Sequence, residues 1–149
     1  MRINSGEVLL EAIKKNGVMP YNEIVVDGDY VFPTKEWMVT KFSEAFKVFL
    51  RQLDALGYKV DKNDCDNFAV HCYSFALLLH NRDPKAYQKG FAMGMYHYTT
   101  DKGTGHAINI FVTVDPDTNT YEVAFYEPQT QSIVRLSEQE KASCRTLFI

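Results

Sequence analysis

Apolar residues recur at helical spacing through the first half of the chain and at strand spacing through the second. Between Glu7 and Lys15, Val8, Leu9, Ala12 and Ile13 fall on one helical face, and Asn16-Gly17 follows as a stop. Ile24-Val25-Val26 reads as extended, and Asp27-Gly28-Asp29 reads as a turn. Thr34 then stands where it can cap a helix running to Leu56, because Trp37, Phe42, Ala45, Phe46, Phe49, Leu50, Leu53 and Leu56 form a broad stripe ended by Gly57. After an extended Tyr58-Lys59-Val60, the polar run Asp61-Lys62-Asn63-Asp64 can cap a third helix. It begins near Cys65 and buries Phe68, Ala69, Cys72, Phe75, Ala76 and Leu79.

From Phe91 onward the period changes. Phe91 to Tyr98, His106 to Val114, Tyr121 to Glu127 and Ile133 to Leu136 have strand lengths and are separated by Gly, Asp, Asn and Pro. Helices first and antiparallel strands second predict an α+β fold, with the N-terminal helices packed on a C-terminal antiparallel sheet. The whole of residues 1–149 is read as one domain, since 46% hydrophobic content in 149 residues suffices for one core.

Composition narrows the function. Sixteen Lys+Arg against nineteen Asp+Glu give a net charge of −3 without a polybasic run, which argues against nucleic acid as a partner. Charges interrupt every apolar stretch well short of the ~20 residues a spanning helix requires, so no membrane partner is expected. No secretory signal is read at the start of the chain. Cys65, Cys72 and Cys144 cannot all pair and none belongs to a CxxC, so a cytoplasmic or otherwise reducing compartment is expected.

One constellation carries chemistry. Cys65 sits at a helix start, an environment suited to a nucleophilic thiolate, whereas Cys72 falls mid-helix on the apolar face and Cys144 reads as peripheral. His106 opens a strand with Ile108 and Ile110 on its own face. The loop Asp115-Pro116-Asp117-Thr118-Asn119-Thr120 joins that strand to Tyr121–Glu127, and centring the reversal on it brings Glu127 or Gln129 opposite His106. A carboxylate there would orient the imidazole, the third role in a nucleophile, base and acid set. Set against this are a satisfied core histidine and a carboxylate at a strand end. Phe91, Tyr96 and Tyr98, with Tyr87, are candidate groove walls.

The blocks Asp64-Cys65-Asp66-Asn67-Phe68-Ala69, Gly105-His106-Ala107-Ile108-Asn109 and Tyr126-Glu127-Pro128-Gln129-Thr130 resemble the signature segments of papain-like cysteine peptidases. Their likeness is greatest to the C-terminal protease domain of the Marasmius oreades agglutinin family, and more distant to bacterial transglutaminase-like cysteine peptidases. The resemblance implies a papain-like fold and a Cys-His-Glu hydrolase acting on a peptide or small amide. In it Cys65 would be the nucleophile, His106 the base and Glu127 its orienting acid. It further implies Ca²⁺ coordinated by Asp66, Glu127 and Gln129, a set of oxygens suited to a hard cation. Gln129 or Asn63 could join the Cys65 amide in an oxyanion hole. The alternative is a papain-like binding module without turnover, acting as an inhibitor, sponge or host-interaction protein. A zinc site of Cys65, Cys72 and His71 or His80 lacks the spacing of a structural site.

Overall fold

The computed structural model describes residues 3–25, 27–60, 62–82, 89–115 and 117–149. Val26, Asp61, Tyr87 and Pro116, which the sequence assigns to a strand, a cap, a groove wall and a loop, lie outside these. The fold is α+β, with helices on both faces of a mixed sheet. In chain order the elements are β1 (Ile3–Ser5), α1 (Gly6–Lys15), β2 (Asn22–Ile24), β3 (Asp29–Val31), α2 (Lys35–Trp37), a π-helical turn (Met38–Phe42), α3 (Ser43–Gln52) and α4 (Cys65–Asn81). There follow β4 (Gly90–Phe91), β5 (Met93–Thr99), β6 (Gly105–Val114), β7 (Tyr121–Glu127), β8 (Ser132–Val134), α5 (Glu138–Ala142) and β9 (Thr146–Phe148).

The main sheet has the order β2-β9-β5-β6-β7-β8, antiparallel except that β2 runs parallel to β9; a smaller sheet, β1-β3-β4, sits beside it. Alternation along β6 divides the interior in two. Ile108, Ile110 and Val112 face a core shared with Leu9, Ala12 and Ile13 of α1. Phe111 faces the other core, made with Phe42, Phe46, Leu50 and the α4 residues Phe68, Cys72 and Ala76. Asn109, on the same row as Phe111, ties α4 to the sheet by donating to the Ala69 and Gly94 carbonyls at 3.0 and 3.1 Å.

Local chemistry explains the helix ends. Thr34 Oγ1 accepts from the Trp37 amide at 3.1 Å, and Gly17 at φ +82° closes α1 as expected. The second helix departs from expectation twice. It passes through a π turn, where Ser43 Oγ donates to the Met38 carbonyl at 2.7 Å and also bonds the Tyr126 hydroxyl at 2.7 Å. It also stops before Gly57. Asp54 takes the left-handed conformation at φ 52°, and the Ala55 amide reaches back to Leu50 at 2.9 Å, completing a Schellman-type end. Leu53 and Leu56, expected in the core, are therefore exposed.

The C-terminal segment is a further departure. β9 inserts between β2 and β5, and Gly94 permits the approach: a Cβ there would meet the Phe148 carbonyl and Ile149. This insertion buries Cys144, which is 4% exposed and not peripheral as the sequence suggests. Phe91, Tyr96 and Tyr98 are likewise buried in the two cores, so they form no exposed groove wall.

Candidate functional site

The β6–β7 hairpin positions the acid and the base. The pairing Asn109↔Tyr126, Ile110↔Phe125 sets a register that places Glu127 beyond the ladder on the row of Ile108, next to His106 rather than squarely opposite it. Their side chains meet: His106 Nε2 lies 2.8 Å from Glu127 Oε2, with the two side chains 25% and 13% exposed. The other carboxylate oxygen, Oε1, accepts the Gln129 amide at 3.0 Å. That bond closes the strand end onto its own acid and fixes the carboxylate's orientation.

Tyr98 completes this cluster from β5. It pairs directly with His106 across the ladder, and its ring stands edge-on to the imidazole with centroids 5.7 Å apart. Burial raises the Tyr98 hydroxyl to about 12, and the nearby Glu140, Glu127 and Cys65 side chains push it the same way. Tyr98 thus lies within electrostatic reach of both Glu127 and Cys65. The sequence names it only as an aromatic; its place in the β5 alternation with Tyr96 is the signal that it belongs with His106.

Cys65 is the first residue of α4 and is half-buried. Among the described residues no hydrogen bond joins its thiol to His106. Along β6, His106 continues the Ile108 row that faces α1, and the body of α4 packs on the Asn109 row. Structure therefore brings His106, Glu127 and Tyr98 together and leaves Cys65 beside them without a hydrogen bond to the base. Cys72 is fully buried, and burial pushes its thiol well up.

The remaining candidates are placed as follows. Asn63 is 6% exposed, and its amide donates to the Ala55 and Gly57 carbonyls at 2.9 and 2.8 Å, so both donors serve the loop before α4. Gln129 contributes its backbone amide to Glu127. Asp66 shares a hydrogen bond with Asp64, which holds Asp66 below the usual carboxylate range and raises Asp64. Asn67, one residue on, accepts from the Asp64 amide at 3.3 Å and so helps cap α4. Asp64 Oδ1 is buried without a hydrogen-bond partner, an additional oxygen at the helix start. Among the described residues no three His, Cys, Asp or Glu side chains converge to hold a metal ion. His80 donates Nε2–H to the Lys89 carbonyl at 2.7 Å and lies against Phe91, so it serves the α4 end and not a zinc site. Among the described residues, no helix is long and apolar enough to cross a membrane.

No protein-family model matches the sequence, and no curated protein sequence matches it. Solved structures do. A complex of PSL1a with E64 superposes with a TM-score of 0.71 at 18% identity, over 99% of this chain and 51% of that one. Polyporus squamosus lectin, bound to the human-type influenza-binding epitope Neu5Aca2-6Galb1-4GlcNAc, superposes with a TM-score of 0.74 at 18% identity, over 99% of this chain and 49% of that one. This chain thus spans about half the length of those chains, and the likeness establishes the fold. It also corrects the sequence reading. These neighbours are lectin structures and neither is described as a peptidase, which overturns the assignment to papain-like cysteine peptidases. The thiol-hydrolase activity and the peptide or amide substrate inferred from that assignment fall with it.

Proposed function

We propose that this chain is a non-catalytic binding module whose ligand face is the end of the sheet where His106, Glu127 and Tyr98 meet beside the start of α4. The observation that carries this reading is the bonding of the cluster: Glu127 is held from two sides, by His106 at 2.8 Å and by the Gln129 amide at 3.0 Å, with no hydrogen bond from the imidazole to Cys65. A preformed, partly exposed imidazole–carboxylate pair suits recognition, because its ordering cost is met before the ligand arrives. The three free thiols suit a reducing compartment.

The lectin that shares this fold was solved with a sialylated trisaccharide, so a hydroxyl-rich saccharide is the ligand class to test first. Carboxylate and imidazole groups can accept and donate to sugar hydroxyls. The native chain and its Glu127→Gln variant should be applied to a glycan array, with titration calorimetry on any hit. Binding by the native chain and a loss of about tenfold or more in the variant are expected, as for a hydrogen bond to a charged group. Peptide amide and ester reporters should show no turnover. Absence of saccharide binding, or turnover that disappears in Cys65→Ala, would overturn the reading.

Calcium at Asp66, Glu127 and Gln129 is a separate proposal. The donors are oxygens, and the unpartnered Asp64 Oδ1 adds one nearby; an ion there would compete with the Asp64–Asp66 and His106–Glu127 bonds. Millimolar Ca²⁺ is expected to raise the melting temperature of the native chain and not that of Asp66→Asn. Identical melting curves with and without Ca²⁺ remove the ion from the proposal.

A further inference from the structure

A cavity lined by none of Cys65, His106 or Glu127 opens where β8 leaves β7. β8 pairs only with Phe125–Glu127, so the outer edge of β7 before Phe125 borders a cavity of about 250 Å³. Its wall carries three cations, Lys35, Arg135 and Lys141, and an apolar surface that includes Val123, Phe125 and Leu136. Two of the cations are neutralised by neighbours: Lys35 by Glu122, and Lys141 by Glu138 at 2.6 Å. Lys141 has a side chain only 22% exposed, so its ammonium is held at the wall. Arg135 has no hydrogen-bond or ion-pair partner among the described residues. The wall is therefore left with one unmatched positive charge.

We propose that this cavity binds a small organic monoanion, whose carboxylate sits on the Arg135 guanidinium and whose apolar body lies on Val123, Phe125 and Leu136. Guanidinium and carboxylate match in a planar, two-bond geometry that an ammonium does not reproduce. Size points the same way: the cavity lies just below the ~300 Å³ at which drug-sized pockets begin, so one ring or a short chain fills it. A single unmatched cation selects one negative charge, since a second would sit against Glu122 and Glu138.

Phenylacetate is a suitable probe, and phenylacetamide has the same shape without the charge. Each is titrated into the native chain and into Arg135→Gln, following backbone amide resonances and calorimetric heat. Phenylacetate should shift the resonances of residues 123–125 and 134–136, with phenylacetamide, and phenylacetate on Arg135→Gln, at least about tenfold weaker. Arg135 is exposed, so the variant should fold, and an unchanged amide spectrum elsewhere verifies it. Arg135→Lys should fall between the two. Equal binding of acid and amide, equal binding by Arg135→Gln, or no shifts at about 10 mM phenylacetate would overturn the proposal. Arg135→Gln leaves the His106–Glu127 face intact, so saccharide binding through that face should be unaffected and the two proposals can fail separately.

Discussion

Phe42→Ala should destabilise the fold by about 3–5 kcal/mol, the usual cost of deleting a buried aromatic ring. Phe42 is fully buried and central to an aromatic cluster: its ring centroid lies 5.4 Å from Trp37, 5.8 Å from Phe46, 5.7 Å from Phe75 and 5.8 Å from Tyr126. These rings join α2, α3, α4 and β7 to the π turn that carries Phe42, so the cavity left by the deletion touches four further elements that cannot all close on it. In a domain of this size each kcal/mol moves the melting temperature by roughly 2–4 °C, giving a fall of roughly 6–20 °C. Urea unfolding by circular dichroism is the measurement. Phe49→Ala, removing a ring at the partly exposed rim of the same cluster, should cost clearly less. A Phe42→Ala loss below about 1 kcal/mol would mean that the cluster collapses onto the gap, contrary to a close-packed core.

Much of this core is legible in the sequence, and the part that is not has a geometric cause. Met38, Phe42, Phe46 and Leu50 are all fully buried at a constant spacing of four. In an α-helix each four-residue step drifts about 40° around the axis, so three steps would carry Leu50 away from the face Met38 occupies. The π turn widens the helix locally and takes up part of that drift. Regular four-residue spacing was thus a visible signal of a helix that is not wholly α, but an ordinary amphipathic stripe reads almost the same. Asp54 as the helix stop was not visible, because Gly57 three residues later is the residue that normally takes a left-handed conformation.

The site divides along the same line. His106 and Glu127 meet because the Asp115 turn fixes one hairpin register: Asp115 Oδ1 accepts the Asp117 and Thr118 amides at 2.8 and 2.9 Å, and such a turn can be read locally. What local reading does not supply is the position of α4 relative to that hairpin, which depends on Asn109 and on long-range packing of the helix over one row of β6. A signature of three short blocks carries their order but not which sheet face each block occupies. The strand β9 is hidden in the sequence for a related reason: Thr146-Leu147-Phe148 is too short to signal a strand alone and gains its partners from β2 near the start of the chain and β5 in its middle.

Cys65 should be alkylated at least about a hundred times faster than Cys72 or Cys144 when the native chain is treated with iodoacetamide near pH 8, because the thiolate is the reacting species and must be reachable. Cys65 is half-buried at a helix start, whereas Cys72 is 0% and Cys144 4% exposed. Burial raises Cys144 to about 11, so at pH 8 only about one Cys144 thiol in a thousand is ionised. The Cys72 thiol is raised well above its usual value by burial and by Glu127, and reagent reaches it only when the α4 side of the core opens. Raising the pH should speed Cys144 labelling up to about 11, but a limit comes from stability. The folded chain keeps the Cys144 proton to about 11 while the unfolded chain releases it from about 9, so stability falls as pH rises through that window. Labelling is therefore compared below about pH 9, by peptide mapping after short exposures. Cys65→Ser should remove the fast phase and leave the melting temperature nearly unchanged. Fast labelling of Cys65 without turnover of peptide or ester reporters is the result expected of a binding module, and three equal labelling rates would contradict the placement of Cys65 at an accessible helix start.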